Sequence, residues 1–242
     1  MLQLLLLDMD HTLCDTEKAD AVGRRYLCRS FEEVVSLNSG EAEALSGHFM
    51  EILYHRPSAA EWQKKEGEQE GSYRGRLLQL CLSKKLGLKI SSEICIQLVS
   101  DLMAKRIEAF DFFPGVPELL AELRQSYRTV VLTNGPLYSQ EPKVLKVGMQ
   151  DHVDRVVLAG AHPWSKPDPR IFKKVLDDEG CGPSEALHVG DSLGSDIAGA
   201  IASGIPSVWI NPKGKSFPRE LTPDYILALV TELPRVLKGL GG

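Results

Sequence analysis

The strongest constraint in this 242-residue chain is a run of four leucines, Leu4 to Leu7, that stops at two carboxylates one residue apart, Asp8 and Asp10. A short apolar run closed by a polar turn predicts a strand buried on both faces, as in a parallel sheet. Ligands of such sheets bind just beyond the carboxyl ends of the strands. Two acids at i, i+2 in that place can point the same way, into one crevice. So close together, they raise each other's pKa unless a cation lies between them. The stretch therefore asks for a metal ion or for one carboxyl kept protonated, and either is a catalytic arrangement.

Further apolar runs follow from Phe113 onward. Thr129–Leu132 leads into Thr133-Asn134-Gly135, and Arg155–Leu158 into Ala159-Gly160, with Lys166-Pro167 shortly after. Ala186–Val189 ends in Gly190-Asp191, Pro206–Ile210 is a fifth run, and Asp224–Ile226 a short sixth. Helical segments separate them. Pro117 suits the first turn of a helix burying Leu119, Leu120 and Leu123, and another is expected over Pro142–Val147. Asp168 as N-cap, Pro169 and a closing Gly180 frame a third, Asp196–Ser203 is a fourth, and a last one lies near Leu233–Leu237. Strands alternating with helices predict a parallel sheet with right-handed crossovers. In such a sheet the polar strand ends share one edge, so residues more than a hundred positions apart converge.

Between these parts, residues 15–111 show no strong strand run and carry helical spacing instead, as in Leu45, Phe49, Ile52 and Leu98, Leu102. Ser91 or Ser92 can cap the last of these helices. A charged stretch, Glu61 to Arg76, carries three glycines. An all-helical block inserted beside the first strand end reads as a lid. Its Arg24, Arg25, Arg56, Arg74 and Arg76 are candidates to meet a second anionic group on a substrate, against the plainer reading of solvated helix faces.

The formal charge of −5 and a pI near 5.7 argue against a nucleic-acid polymer as partner. The five cysteines form no C-x-x-C or His/Cys cluster, which fits a reducing, cytoplasmic setting rather than a disulfide framework. The first apolar run is too short and lacks the basic flank of a signal peptide, and no membrane span is expected. Monomer and homodimer stay open.

Taken together, these residues resemble the haloacid dehalogenase (HAD) superfamily in its phosphatase branch. The resemblance rests on Asp8-x-Asp10-x-Thr12, Thr133-Asn134-Gly135, Lys166-Pro167, and Gly190-Asp191 with Asp196 five residues on. It implies a Rossmann-like three-layer α/β/α core with a parallel sheet (residues 1–14 and 112–242) and an inserted α-helical cap (residues 15–111). It implies a Mg²⁺-dependent phosphomonoester hydrolase for a small phosphorylated metabolite, a sugar phosphate or a nucleotide, working through an aspartyl phosphate. Asp8 would be the nucleophile and Asp10 the acid and base. Thr133, the amides around Asn134, and Lys166 would bind the phosphoryl oxygens. Asp8, the backbone carbonyl of Asp10, and Asp191 would hold Mg²⁺, with Asp196 in support. The family often has Asn where this chain has Ser195. Within the superfamily the chain is most similar to the N-acylneuraminate-9-phosphatase and bacterial pyrimidine 5′-nucleotidase group, through Gln140 and Lys143 after the second motif, Trp209-Ile210-Asn211, and the stretch from Pro223 to Pro234.

Other chemistries on the same frame are haloacid dehalogenation, which needs no metal and no acid, a phosphomutase, and a non-catalytic binding protein. Asp10 and Asp191 argue against the first. His11 reads equally as a substrate-facing residue or a spacer, His188 as a core histidine, and Asp196 also as a helix N-cap.

Overall fold

Six strands make one sheet: β1 (Leu4–Leu7), β2 (Arg128–Thr133), β3 (Arg155–Leu158), β4 (Ala186–Gly190), β5 (Ser207–Ile210) and β6 (Tyr225–Leu227). Their order is β3-β2-β1-β4-β5-β6, and every pair is parallel. This computed structural model describes residues 1–54 and 70–240; Arg56 and the charged stretch up to residue 69 lie outside the described residues. The chain divides into two compact units, Met1–Thr16 with Phe110–Gly242, and Glu17–Ala109.

The first unit is doubly wound. From β1 the chain moves outward through β2 to β3, then returns to the other side of β1 and moves out through β4, β5 and β6. The switch point therefore lies between β1 and β4, where open α/β sheets bind their ligands. Leu7 stands level with Val131 on one side and Val189 on the other, so β1 and β4 end together at Asp8 and Gly190.

The leucines of β1 are no more than 1% exposed, because both faces of the sheet are covered. Leu4 and Leu6, with Val130, Leu132 and Val157, pack on Ile171, Phe172, Val175 and Leu176 of helix Pro169–Glu179 and on Ala200 of helix Ala198–Ser203. Alternation turns Leu5, Leu7 and Val131 to the opposite face. Each such leucine contributes about 1.5–3 kcal/mol by leaving water.

Both outer strand pairs are held by the same device at the amino-terminal edge. Asp154, just ahead of β3, accepts from Thr129 N (2.8 Å) and Thr129 Oγ1 (3.1 Å) at the start of β2. Asp224, just ahead of β6, accepts from Ser207 N (2.8 Å) and Ser207 Oγ (3.1 Å) at the start of β5. One carboxylate oxygen thus takes two donors at each edge and sets the register there.

Two helices begin elsewhere than their sequence signals, one earlier and one, Ala198–Ser203, later. The helix expected from Pro142 runs Leu137–Lys146, with Pro142 inside it. Pro136 precedes it in extended conformation and accepts from Ser139 N and Gln140 N, which opens the helix upstream. The helix expected from Asp196 is preceded by a wide turn over Leu193–Ile197. Ser192 caps it by accepting from Ser195 N, which frees the Asp196 carboxylate from the N-cap role.

Helices Ser39–Tyr54, Glu70–Leu86 and Ser92–Ala109 belong to the second unit, together with all of helix Thr16–Val35 but its first residue. Leu27, Phe31, Leu45, Phe49, Leu78 and Leu102 form its core. Ser91 caps the last helix, its Oγ accepting from Ile94 N at 3.3 Å. Near that core Arg106 donates to Asp20 from both Nε (2.8 Å) and Nη2 (2.5 Å). Among the arginines singled out above, Arg24 pairs with Glu43 at 3.2 Å, Arg74 donates to Met103 Sδ at 2.9 Å, and Arg25 and Arg76 are exposed. Among the described residues no helix is long and apolar enough to cross a membrane.

The Asp154 clamp has a pH signature. Burial opposes its charge, but the Thr129 amide and hydroxyl and Arg124 outweigh burial and hold the carboxyl below its usual value. Its stabilisation is therefore complete above the unfolded pKa of about 4 and is lost as pH falls through the folded value. Asp154→Asn is expected to lower stability at pH 7 by about 1 kcal/mol, or roughly 2–4 °C in Tm, and to flatten the acid limb of a Tm–pH curve. An unchanged acid limb would show that the clamp does not couple to folding.

Candidate active site

The carboxyl end of β1 delivers Asp8, whose amide is held by the Val189 carbonyl of β4 at 2.9 Å. Its Oδ1 receives Lys166 Nζ at 2.5 Å, and its Oδ2 faces Thr12 Oγ1 at 3.4 Å. Lys166 also reaches Asp196 Oδ1 at 2.7 Å. Asp8, Lys166 and Asp196 are all at least nine-tenths buried. Behind them, His188 Nε2 lies 3.1 Å from Asp196 Oδ1, and Ser192 N donates to Asp196 Oδ2 at 3.0 Å. The Asp196 carboxylate rests on Gly190, where any Cβ would overlap it. A glycine at that point is what lets this side chain lie across the end of β4.

Electrostatics differ sharply from one acid to the next. Burial pushes Asp8 up, Lys166 pulls it back, and Asp196 and Asp191 add to the rise, leaving it at about 8. Burial works against Asp196 too, but Lys166 and His188 prevail and keep it well below the usual carboxylate range. Burial would discharge Lys166; Asp196 and Asp8 more than offset this and hold the ammonium charged. Asp191 is half-buried, and burial followed by Asp196 raises it to about 6.

Ligand atoms of Asp8, Asp191 and Asp196 all lie within 4.8 Å of one another. Among the described residues no hydrogen-bond donor reaches the Asp191 carboxylate, while its carbonyl is pinned by Trp209 Nε1 at 2.8 Å. With three carboxylates against one ammonium, full ionisation leaves two surplus negative charges. A hard divalent cation satisfies both features, the charge and the underused oxygen donors. The donor set thus fits such an ion.

Asp10 faces elsewhere. Its Oδ1 receives Lys143 Nζ (2.7 Å) and Thr16 Oγ1 (2.7 Å), and its Oδ2 receives Gln140 Nε2 (3.0 Å). Burial alone would raise its pKa, but Lys143 and these hydrogen bonds bring it below the ordinary value. Asn134 spends its side chain as a strut, Nδ2 donating to Lys166 O at 2.8 Å and Oδ1 accepting from Lys166 N at 2.9 Å. It thereby ties the loop after β2 to the loop carrying Lys166. Thr133 is buried at the end of β2.

Thr16 and His188 touch this cluster although their sequence positions did not mark them as site residues, and Thr12 and Trp209, named in the motifs without a role, touch it too. His188 is a core histidine, fully buried and edge-on to Phe172 with ring centroids 5.1 Å apart, yet it also braces Asp196. His11 is exposed at φ 59°, in the left-handed region, where the chain turns sharply between Asp10 and Thr12.

The sequence profile of the haloacid dehalogenase-like hydrolases matches residues 2–204. Human N-acylneuraminate-9-phosphatase is 34% identical over 140 residues, 56% of this chain and 55% of that protein. Phosphoserine phosphatase of Thermus thermophilus is 29% identical over 245 residues, 92% of this chain and 94% of the relative. The chain aligns to about half the length of the former. The magnesium-bound HAD hydrolase YfnB of Bacillus subtilis superposes with a TM-score of 0.72 at 22% identity, over 98% of each chain, and so shares the fold.

The packing of Asp196 on Gly190 yields a test. Gly190→Ala is expected to displace the carboxylate and cost about 1–3 kcal/mol through overpacking. Thermal melting of the purified variant measures this, and an unaltered Tm would mean that Asp196 has room to move.

Proposed function

Because the chain belongs to the haloacid dehalogenase-like hydrolases, we propose that it is a Mg²⁺-dependent phosphomonoester hydrolase acting on a small phosphorylated metabolite through an aspartyl phosphate on Asp8. One observation carries this reading. Asp8, delivered by the carboxyl end of β1 at the switch point of the sheet, joins the three-carboxylate cluster and takes a hydrogen bond directly from Lys166. A carboxylate can attack a dianionic phosphate only where cations cancel the repulsion.

In this mechanism Asp8, Asp191 and the carbonyl of Asp10 would hold Mg²⁺, with Asp196 in support, and the bound ion would supply the positive charge that keeps Asp8 ionised beside the phosphoryl oxygens. Lys166, Thr133 and the amides around Asn134 hold those oxygens in line with Asp8. An Asp8 carboxylate oxygen attacks phosphorus and forms an acyl phosphate while the ester P–O bond breaks. Asp10, which has to take up a proton as the ester binds, gives that proton to the departing oxygen, which leaves as an alcohol. It then takes a proton from water as the water oxygen attacks phosphorus. The Asp8–phosphorus link breaks, and inorganic phosphate and the Asp8 carboxylate are restored.

The activities of those relatives, on an acylneuraminate 9-phosphate and on phosphoserine, support a small phosphate ester as substrate. We assign substrate selection to the helical unit Glu17–Ala109, as the cap. Free thiols at all five cysteines suit a reducing cytoplasm.

Purified protein is expected to release inorganic phosphate from p-nitrophenyl phosphate with Mg²⁺, and to lose this activity in EDTA. Asp8→Asn should reduce it by at least about a thousandfold. Comparable turnover by that variant, scored by phosphate release, overturns the mechanism.

A further inference from the structure

Lys143 is a buried lysine whose surroundings are spent on one carboxylate. It is 8% exposed, bonds Asp10 Oδ1 at 2.7 Å, and lies over the Phe110 ring with 5.3 Å to the centroid. Burying an ammonium is costly unless it is paired, and among the described residues its one salt-bridge partner is Asp10. One helical turn earlier, on the same face, Gln140 is 4% exposed and donates through Nε2 to Asp10 Oδ2 and to Asn134 O. Its own Oε1 is buried and, among the described residues, has no hydrogen-bond partner. Leaving a buried acceptor unpaired carries the full desolvation penalty of that group. The amide is oriented this way because both atoms facing Nε2, Asp10 Oδ2 and Asn134 O, accept from it.

These contacts treat the two oxygens of Asp10 differently. Oδ1 takes two donors, Lys143 and Thr16, and its in-plane lone pairs are used. Among the described residues Oδ2 takes a donor only from Gln140 and keeps one lone pair. We infer that Lys143 and Gln140 are positioning residues that fix the Asp10 carboxyl with Oδ2 as its working oxygen, so that the proton passing to the leaving group and the proton later taken from water both travel through that atom. The inference rests on the phosphatase reading above. It adds which atom does the work and which residues place it. In the first half-reaction the Oδ2–H bond breaks as the ester oxygen gains the proton and parts from phosphorus. In the second, Oδ2 regains a proton from the attacking water.

A residue that acts through Asp10 leaves a mark that a general packing role does not. Proton donation matters most for a poor leaving group such as an alkoxide and least for p-nitrophenolate. A positioned acid contributes roughly 10²–10⁴ in rate, and a small misplacement forfeits part of it. Lys143→Met is therefore expected to lower kcat/KM for an alkyl phosphate at least about tenfold further than for p-nitrophenyl phosphate, with the difference in kcat rather than KM. Lys143→Arg should recover part of the difference. In an Asp10→Asn background, adding Lys143→Met should change the alkyl ester rate by less than about threefold, because the group it positions is already disabled. Gln140→Leu, which removes only the Oδ2 contact, serves as the second variant if Lys143→Met does not fold, with the same expectations. A uniform fall across both esters, or losses that multiply in the double mutant, would overturn the inference and leave the phosphatase reading standing. Absence of phosphate release from either ester by the wild-type protein would overturn both.

Discussion

The Lys166 ammonium is the interaction on which the site depends. It lies between Asp8 and Asp196, 2.5 Å from one and 2.7 Å from the other, and all three groups are out of water. Without it two carboxylates would face each other at the buried end of the sheet, and truncating one partner of such a buried set typically costs about 3–5 kcal/mol. The other contacts serve this placement. Asn134 holds Lys166 by its backbone, His188 and the Ser192 amide hold Asp196, and β4 holds the amide of Asp8. The braces come from β4 and the turn after it and from the loop after β2, on either side of β1, which is why a doubly wound parallel sheet suits the chemistry.

The division of labour between the two acids of the first loop follows from their neighbours. Asp8 shares its cation with Asp196, stands near Asp191, and is pushed upward. Asp10, two residues on, has Lys143 to itself with two further donors and moves the other way. The sharp turn at His11 follows directly on Asp10 and precedes Thr12, the residue facing Asp8. Identical side chains thereby acquire different environments within one loop.

Much of the scaffold could be read from the chain because β1, β2, β4 and β5 are covered on both faces, and full burial writes itself as an unbroken apolar run. The polar residues closing those runs were equally plain, and Asp8, Asp191, Asp196 and Lys166 do meet at one edge of the sheet. Other features were not legible for particular reasons. The Pro142 signal for a helix start was misleading because Pro136 opens the helix earlier and a ten-residue helix tolerates one missing amide. The grip on Asp10 spans 130 and 133 positions and depends on how helix Leu137–Lys146 lies beside β3, which no local periodicity specifies. A signal was present, since Gln140 and Lys143 stand three apart on one helical face that turns out to be buried. His188 looked like core and is core; only the fold reveals that its second task is to brace an acid eight residues away.

The two Asp clamps stand at the opposite rim of the sheet from the carboxylate cluster, at the starts of β2 and β5 rather than at the ends of β1 and β4. Foundation and workbench are thereby separated. Loops at the working rim can be lengthened, shortened or rewritten during descent without loosening the pins that align the outer strands. A frame built this way tolerates turnover of specificity, because the parts under selection for new partners are not the parts that hold the floor level.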